Sequence, residues 1–234
     1  ADVAWAAGKK GSETVKVGII DTGIDYLHPD LVNRVDMTLS HSFLSDAENA
    51  RVTTIFGAAT PTWVDLFYHG THVAATVASN AYIYAGVTSQ TKLVSLRACY
   101  PGTAPAFQSG CPTSAVLYAL LYAVDNNIPI VNMSLGGAFE RRDGSARGGF
   151  GPSFIATINQ IMTYANRNGT TVIVSAGNEG TDLDNDGNAF EAYCNAATVV
   201  CVSATGPTAA AGLNGPWTNI DALAGYSNFG ASAI

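Results

Sequence analysis

Three short runs of this chain carry side chains that together could transfer an acyl group. Ile19-Ile20-Asp21-Thr22-Gly23-Ile24-Asp25 ends an apolar run in a carboxylate, and His69-Gly70-Thr71-His72-Val73-Ala74 offers an imidazole. Val174-Ser175-Ala176-Gly177-Asn178-Glu179-Gly180 ends a second apolar run in a carboxamide. An aspartate beside a histidine fixes the ring's tautomer and stabilises the imidazolium formed when a hydroxyl loses its proton. An amide N–H can bind the oxyanion of the tetrahedral intermediate, a contact made mainly in the transition state. The fourth group, an activated serine, has no convincing candidate among the 234 residues.

Such groups need elements to aim them. Val15–Ile20, Leu93–Ala98, Ile130–Ser134, Thr171–Ala176 and Thr198–Ala204 read as strands, and their near-continuous Val, Ile and Leu suits a parallel sheet buried on both faces. His69–Ser79, Thr113–Asn126 and Ser153–Asn168 read as helices from their apolar spacing. The alternation predicts an α/β fold, a doubly wound, mostly parallel sheet with helices on both faces. Polar chemistry in such a sheet gathers beyond the carboxyl ends of its strands. Asp21 directly follows the first strand, Asn178 follows the fourth by two residues, and His69 opens a helix. The helix dipole at that end is expected to disfavour the imidazolium and keep His69 available as a base.

Two stretches read as surface excursions: Asn33–Tyr68, long and irregular, and Ala138–Gly151, a glycine-rich loop with Arg141, Arg142, Asp143 and Arg147. No repeat or linker divides the chain, which predicts a single domain over residues 1–234.

Composition narrows the function. With 47% hydrophobic and 12% charged residues the chain can fill a large core and is not disordered. A net charge of -7 argues against a nucleic-acid surface, and no apolar run is long enough to span a membrane. Four cysteines allow three pairings; the local one, Cys99–Cys111 with Cys194–Cys201, is favoured over buried free thiols. Paired cysteines, few lysines and acidity together point to a secreted, extracellular protein, and a monomer is expected.

With these motifs in place, the chain from about Val15 onward resembles the subtilisin-like serine proteases, or subtilases. Asp21-Thr22-Gly23-Ile24-Asp25, continued by His28-Pro29-Asp30-Leu31, is similar to the family's aspartate block and implies that Asp21 is the triad acid. His69 would be the base and His72 a buried structural histidine. Val131-Asn132-Met133-Ser134-Leu135-Gly136-Gly137 resembles the substrate-binding strand, implying that Ser134, Leu135, Gly136 and Gly137, with Ala176 and Gly177, hold an extended peptide. Ser175-Ala176-Gly177-Asn178 is similar to the oxyanion block, and Tyr226-Ser227-Asn228-Phe229-Gly230 to a stretch that usually precedes the serine block. The family's Gly-Thr-Ser-Met-Ala is absent, and Ser134, Ser227 and Ser232 are poor substitutes for its serine. Ala75 stands where the family usually has glycine.

The resemblance implies a serine endopeptidase acting on polypeptides, its catalytic domain incomplete at the C-terminus. A pro-segment or a complementary C-terminal fragment would be its further partners. The 234 residues alone would then be inactive. The alternative is a non-catalytic peptide binder that uses the same groove.

Other readings of single motifs are weaker. An aspartic-protease loop needs a second Asp-Thr-Gly, and a phosphate-binding loop needs further glycine-rich segments; neither is present. His69 and His72 lack the adjacent glutamate of a helical zinc motif, while His28 and His41 read as surface or structural. Asp182, Asp184 and Asp186 before Gly187 open like a calcium loop but lack its closing glutamate, with Glu191 a substitute only in another geometry. Asp30 matches one ligand of a family calcium site whose remaining loop is shortened at Ser79–Gly86. The chemistry itself needs no cofactor, and structural calcium is the one ligand expected.

Overall fold

The computed structural model describes residues 1–102, 109–141, 151–206, 209–210 and 217–231. Its contacts group into two compact units, residues 1–134 with 168–170, and residues 135–167 with 171–234.

The first unit contains α1 (Asp2–Ala6), β1 (Lys16–Asp21), β2 (His41–Ser42), α2 (Asp46–Phe56), α3 (His69–Val77), β3 (Lys92–Arg97), β4 (Tyr100–Pro101), β5 (Ser109–Gly110), α4 (Thr113–Asp125) and β6 (Ile130–Met133). Its sheet runs β6-β1-β3-β2, with every neighbouring pair parallel. The chain leaves β1 for β3 on one side and later returns to place β6 on the other, so Asp21 ends the strand at which the winding reverses. Such a reversal opens a crevice at the strand ends.

Strand residues alternate between faces. Val17 and Ile19 pack with Ala74 and Ala78 of the α3 segment in one buried cluster, which Val52, Trp63 and Val64 complete. On the other face of β1, a Cβ on Gly18 would stand 2.8 Å from Leu96 Cδ1, so glycine lets its neighbours close in. α4 also packs against β1, burying Val116, Leu120 and Ala123.

The second unit contains β7 (Gly137–Glu140), α5 (Pro152–Arg167), β8 (Thr171–Ser175), β9 (Ala189–Ala192), β10 (Val200–Val202), β11 (Ala209–Ala210) and β12 (Trp217–Thr218). β8 and β10 are parallel, β7 and β9 antiparallel, and α5 packs against β8 through a face that includes Ile158, Met162 and Ala165. This is the α/β, mostly parallel architecture expected, with the five strands and three helices displaced by at most two residues at their ends.

Two excursions need correction. Asn33–Tyr68 is not irregular: it holds α2, adds β2 as an edge strand on β3, and buries Val35, Val52, Trp63 and Val64. α2 presents only Val52 as a fully buried side chain, so its periodicity is faint. Its capping pattern was present, since Ser45 Oγ accepts from Glu48 N at 3.4 Å. In Ala138–Gly151 the first residues are strand, because β7 pairs with β9; Arg142, Asp143 and Arg147 lie outside the described residues, as does Ser232.

Both local disulfides are formed, Cys99–Cys111 and Cys194–Cys201. Among the described residues no helix is long and apolar enough to cross a membrane.

Candidate active site

Asp21 is the last residue of β1 and is buried. Its carbonyl accepts from Ala98 N and Cys99 N, and its Oδ1 accepts from Thr22 N at 2.7 Å. His69 begins α3, and its Nδ1 lies 2.8 Å from Asp21 Oδ1 and 3.0 Å from Oδ2. An ionised carboxylate can only accept, so Nδ1 carries the proton and donates. Nε2 of the neutral ring is then the free base. The His69 side chain is 41% exposed and the Asp21 side chain 2%, which puts the acid behind and the base towards solvent.

Small residues make this approach possible. A Cβ on Gly70 would stand 2.2 Å from Gly23 O, and one on Gly23, at φ +116°, would stand 2.6 Å from Trp63 O. Thr22 Oγ1 accepts from Gly70 N at 2.9 Å, so Asp21-Thr22-Gly23 and His69-Gly70 interlock.

Asp65 is a residue the sequence did not single out. It is buried, and its Oδ1 accepts from Phe67 N and Tyr68 N at 2.7 and 3.1 Å. Its Oδ2 accepts from Thr71 N at 3.0 Å and Thr71 Oγ1 at 2.6 Å. Four donors around one carboxylate hold the first turn of α3, where Tyr68 at φ +104° supplies no side-chain cap. The capping signature expects such an acceptor next to the helix; here it stands four residues before His69.

The charge on His69 runs opposite to the dipole-based expectation. The hydrogen bond to Asp21 raises its pKa above the ordinary value; burial opposes this, and the charges of Asp21 and Asp65 add to it. A carboxylate in contact outweighs the partial charge of a helix end.

His72 is exposed, not buried as the resemblance implied. The buried positions of α3 are Gly70 and Ala74, and a residue midway between them points to the opposite side of the helix. His72 instead faces a cavity of about 870 Å³ shared with Asp25, His28 and Tyr68. His28 Nδ1 accepts from Asp30 N, and the exposed His41 stacks on Tyr122; both are structural.

In the second unit, Asn178 is exposed and lies three residues beyond β8. Its backbone N donates to Glu179 Oε2 at 2.8 Å, and Gly177 before it sits at φ +107°, a conformation that favours glycine. Ala176 is buried, its N donating to Val202 O. Gly136 has a reason internal to the fold, since a Cβ there would stand 2.6 Å from Ala192 O, whereas one on Gly137 would meet only open space. A cavity of about 440 Å³ in this unit is walled by Ala138, Phe139, Leu183, Glu179 and Glu191 among others. Ser134 Oγ, at the end of the first unit, accepts from Asn132 Nδ2, and Leu135 begins the second. Ser227 is buried, its Oγ donating to Asn228 O and accepting from Ala204 N, so it is no nucleophile.

Most carboxylates of the calcium expectation are engaged by the chain's own donors, while Asp186 Oδ2 and Asn188 Oδ1 are buried with no partner among the described residues. Among the described residues no three His, Cys, Asp or Glu are grouped to hold a metal ion. Asp182 accepts from Asp184 N and Asn185 Nδ2, and Asp184 from Ala231 N. The Asp30 carboxylate accepts from Tyr82 N, Ile83 N and Tyr84 N at 2.7, 2.8 and 3.2 Å, a ring of donors suited to an anion's surroundings.

The model of the subtilase family matches residues 12–233, and the chain belongs to that family. It is 28% identical to a thermophilic serine proteinase of Bacillus sp. (strain AK1), over 98% of this chain and 44% of that protein. It is 30% identical to the major intracellular serine protease of Bacillus subtilis (strain 168), over 75% of this chain and 46% of that protein. The chain thus spans about half the length of these relatives. Among solved structures it is similar to the nisin leader peptidase NisP from Lactococcus lactis, with a TM-score of 0.73 at 20% identity, over 98% of this chain and 63% of that one. At that identity the likeness is one of fold.

Proposed function

We propose that this chain carries the acid, the base and the oxyanion donor of a serine endopeptidase. The carrying observation is the Asp21–His69 contact, a buried carboxylate on Nδ1 of a histidine whose side chain is partly exposed. Nε2 takes the proton of a serine hydroxyl as its oxygen adds to the scissile carbonyl, and Asp21 stabilises the imidazolium. The carboxamide of Asn178 donates to the resulting oxyanion. The imidazolium then gives its proton to the leaving amine, and water repeats the sequence on the acyl-enzyme. The serine comes from outside these 234 residues, and no cofactor takes part.

An extended peptide lies along Ser134–Gly137 and Ala176–Gly177, with the second-unit cavity giving room for a side chain. The protein acts outside the cell, where its two disulfides persist. A binder without catalysis would gain nothing from a buried acid aimed at a histidine.

The test is labelling of the full-length protein with a fluorophosphonate. Labelling should occur and should vanish in His69→Ala; labelling undiminished in that variant would remove the role given to His69.

A further inference from the structure

The carboxamide of Asn228 has all its hydrogen-bonding capacity used on one short loop. Asn228 is 1% exposed. Its Nδ2 donates to Ala176 O at 2.9 Å and to Glu179 Oε2 at 2.8 Å. Its Oδ1 accepts from Glu179 N at 3.1 Å and Thr181 N at 2.9 Å. Two N–H groups and two lone pairs are the whole inventory of a carboxamide. The reverse orientation would turn its oxygen towards a carbonyl and a carboxylate, so the chemistry fixes which way it points.

Its backbone completes the arrangement, because Asn228 N donates to Gly177 O at 3.1 Å. The carbonyl of Gly177 and the N–H of Asn178 belong to one peptide plane. The carbonyl end is held by Asn228 N, and the N–H end by Glu179 Oε2, which Asn228 Nδ2 also grips. Gly177 leaves the space this requires, since a Cβ there would stand 2.4 Å from Asn228 Nδ2. Among the described residues the exposed side chain of Asn178 has no comparable anchor of its own, so the plane of that peptide sets where it starts from.

We infer that Asn228 is a positioning residue that aims the Asn178 carboxamide at the oxyanion by clamping the Gly177–Asn178 peptide. The inference rests on the donor role proposed for Asn178. A displacement of about 1 Å at such a donor can cost on the order of a hundredfold in rate. The residue touches no substrate, so its effect belongs in kcat and only through Asn178.

The experiment is a double-mutant cycle in the full-length protease, with kcat and KM measured on a peptide amide. Asn228→Ala should lower kcat by about ten- to a hundredfold and leave KM within about twofold. Added to Asn178→Ala, it should lower kcat less than about threefold further, because its target is gone. An equal loss in both backgrounds, or a rise in KM matching the fall in kcat, overturns the inference and leaves the Asn178 assignment standing. An unchanged kcat in Asn178→Ala alone removes that assignment, and this inference with it.

Should Asn228→Ala not fold, the isosteric Asn228→Asp replaces it. The introduced carboxylate would face Glu179 Oε2 as a like charge and lower kcat. Glu179→Gln in the same chain should recover part of that loss by removing the like charge, although the one atom at the Oε2 position can then serve either the new carboxylate or Asn178 N. Recovery that is absent, or that appears equally when Asn178 is alanine, overturns the inference.

Discussion

The base and the oxyanion donor proposed here are held by opposite strategies. His69 is gripped at its side chain: a buried carboxylate takes Nδ1, and Asp65 fixes the turn from which the ring projects. Asn178 has an exposed side chain, and the fold grips the backbone on either side of it. The difference matches the tasks. A general base must keep one tautomer and one direction through two proton transfers, which calls for a partner on the ring itself. An oxyanion donor must leave its N–H groups free for the transition state, so only the chain beneath can be fixed.

Substitutions can break this contrast at several depths. The largest effect belongs to Asp21→Asn, because asparagine can donate to Nδ1 and stabilise the wrong tautomer. A kcat fall of about ten-thousandfold is expected in the full-length enzyme, with little change in KM. A loss below tenfold would remove the acid role. Next is Asn178→Ala, expected to lower kcat by about a hundred- to a thousandfold. Steady-state kinetics on one peptide amide ranks the two, and the reverse order would overturn the contrast.

Asp65→Asn acts on the support beneath the base. It weakens four hydrogen bonds to a buried carboxylate, so a loss of about 1–3 kcal/mol in unfolding free energy is expected, read by denaturant titration. Stability equal to the parent would show that the turn does not depend on that carboxylate.

The smallest effect is a shift along the pH axis. Asp21 raises the pKa of His69, and catalysis needs the neutral ring. The acid limb of kcat/KM should therefore lie above the ordinary histidine value of about 6.5. Whatever activity Asp21→Asn retains should show that limb at lower pH. The stability linked to the same pair has the opposite sense: it is present below the unfolded-state pKa and fades as pH rises through the folded one. An acid limb that stays in place in Asp21→Asn would show that another group sets it.

What could be read in advance follows from distance along the chain. Asp21 ends a strand whose apolar run is nearly continuous, and His69 opens a helix marked by its motif more than by its apolar pattern, so both element ends were legible before any coordinates. Asp65 was not, because its partner Thr71 lies six residues on, outside the spacing of a capping box. Asn228 was visible only as part of a motif; its four carboxamide partners lie about fifty residues upstream. α2 went unread because one buried side chain leaves little periodicity, although Ser45 and Glu48 marked its start. The direction of the charge effect on His69 was misjudged because the sequence names the helix end and the carboxylate without weighing contact against dipole.

The ring of amides closed around Asp30 sets what the neighbouring segment responds to. Burial pushes this carboxyl up, but the bonds from Ile83, Tyr84 and Tyr82, with the charge of His28, outweigh it and hold Asp30 below the usual carboxylate range. The latch on residues 82–84 is therefore fastened at neutral pH and opens as acidity passes through that lowered value. Acidification is the treatment that should release it.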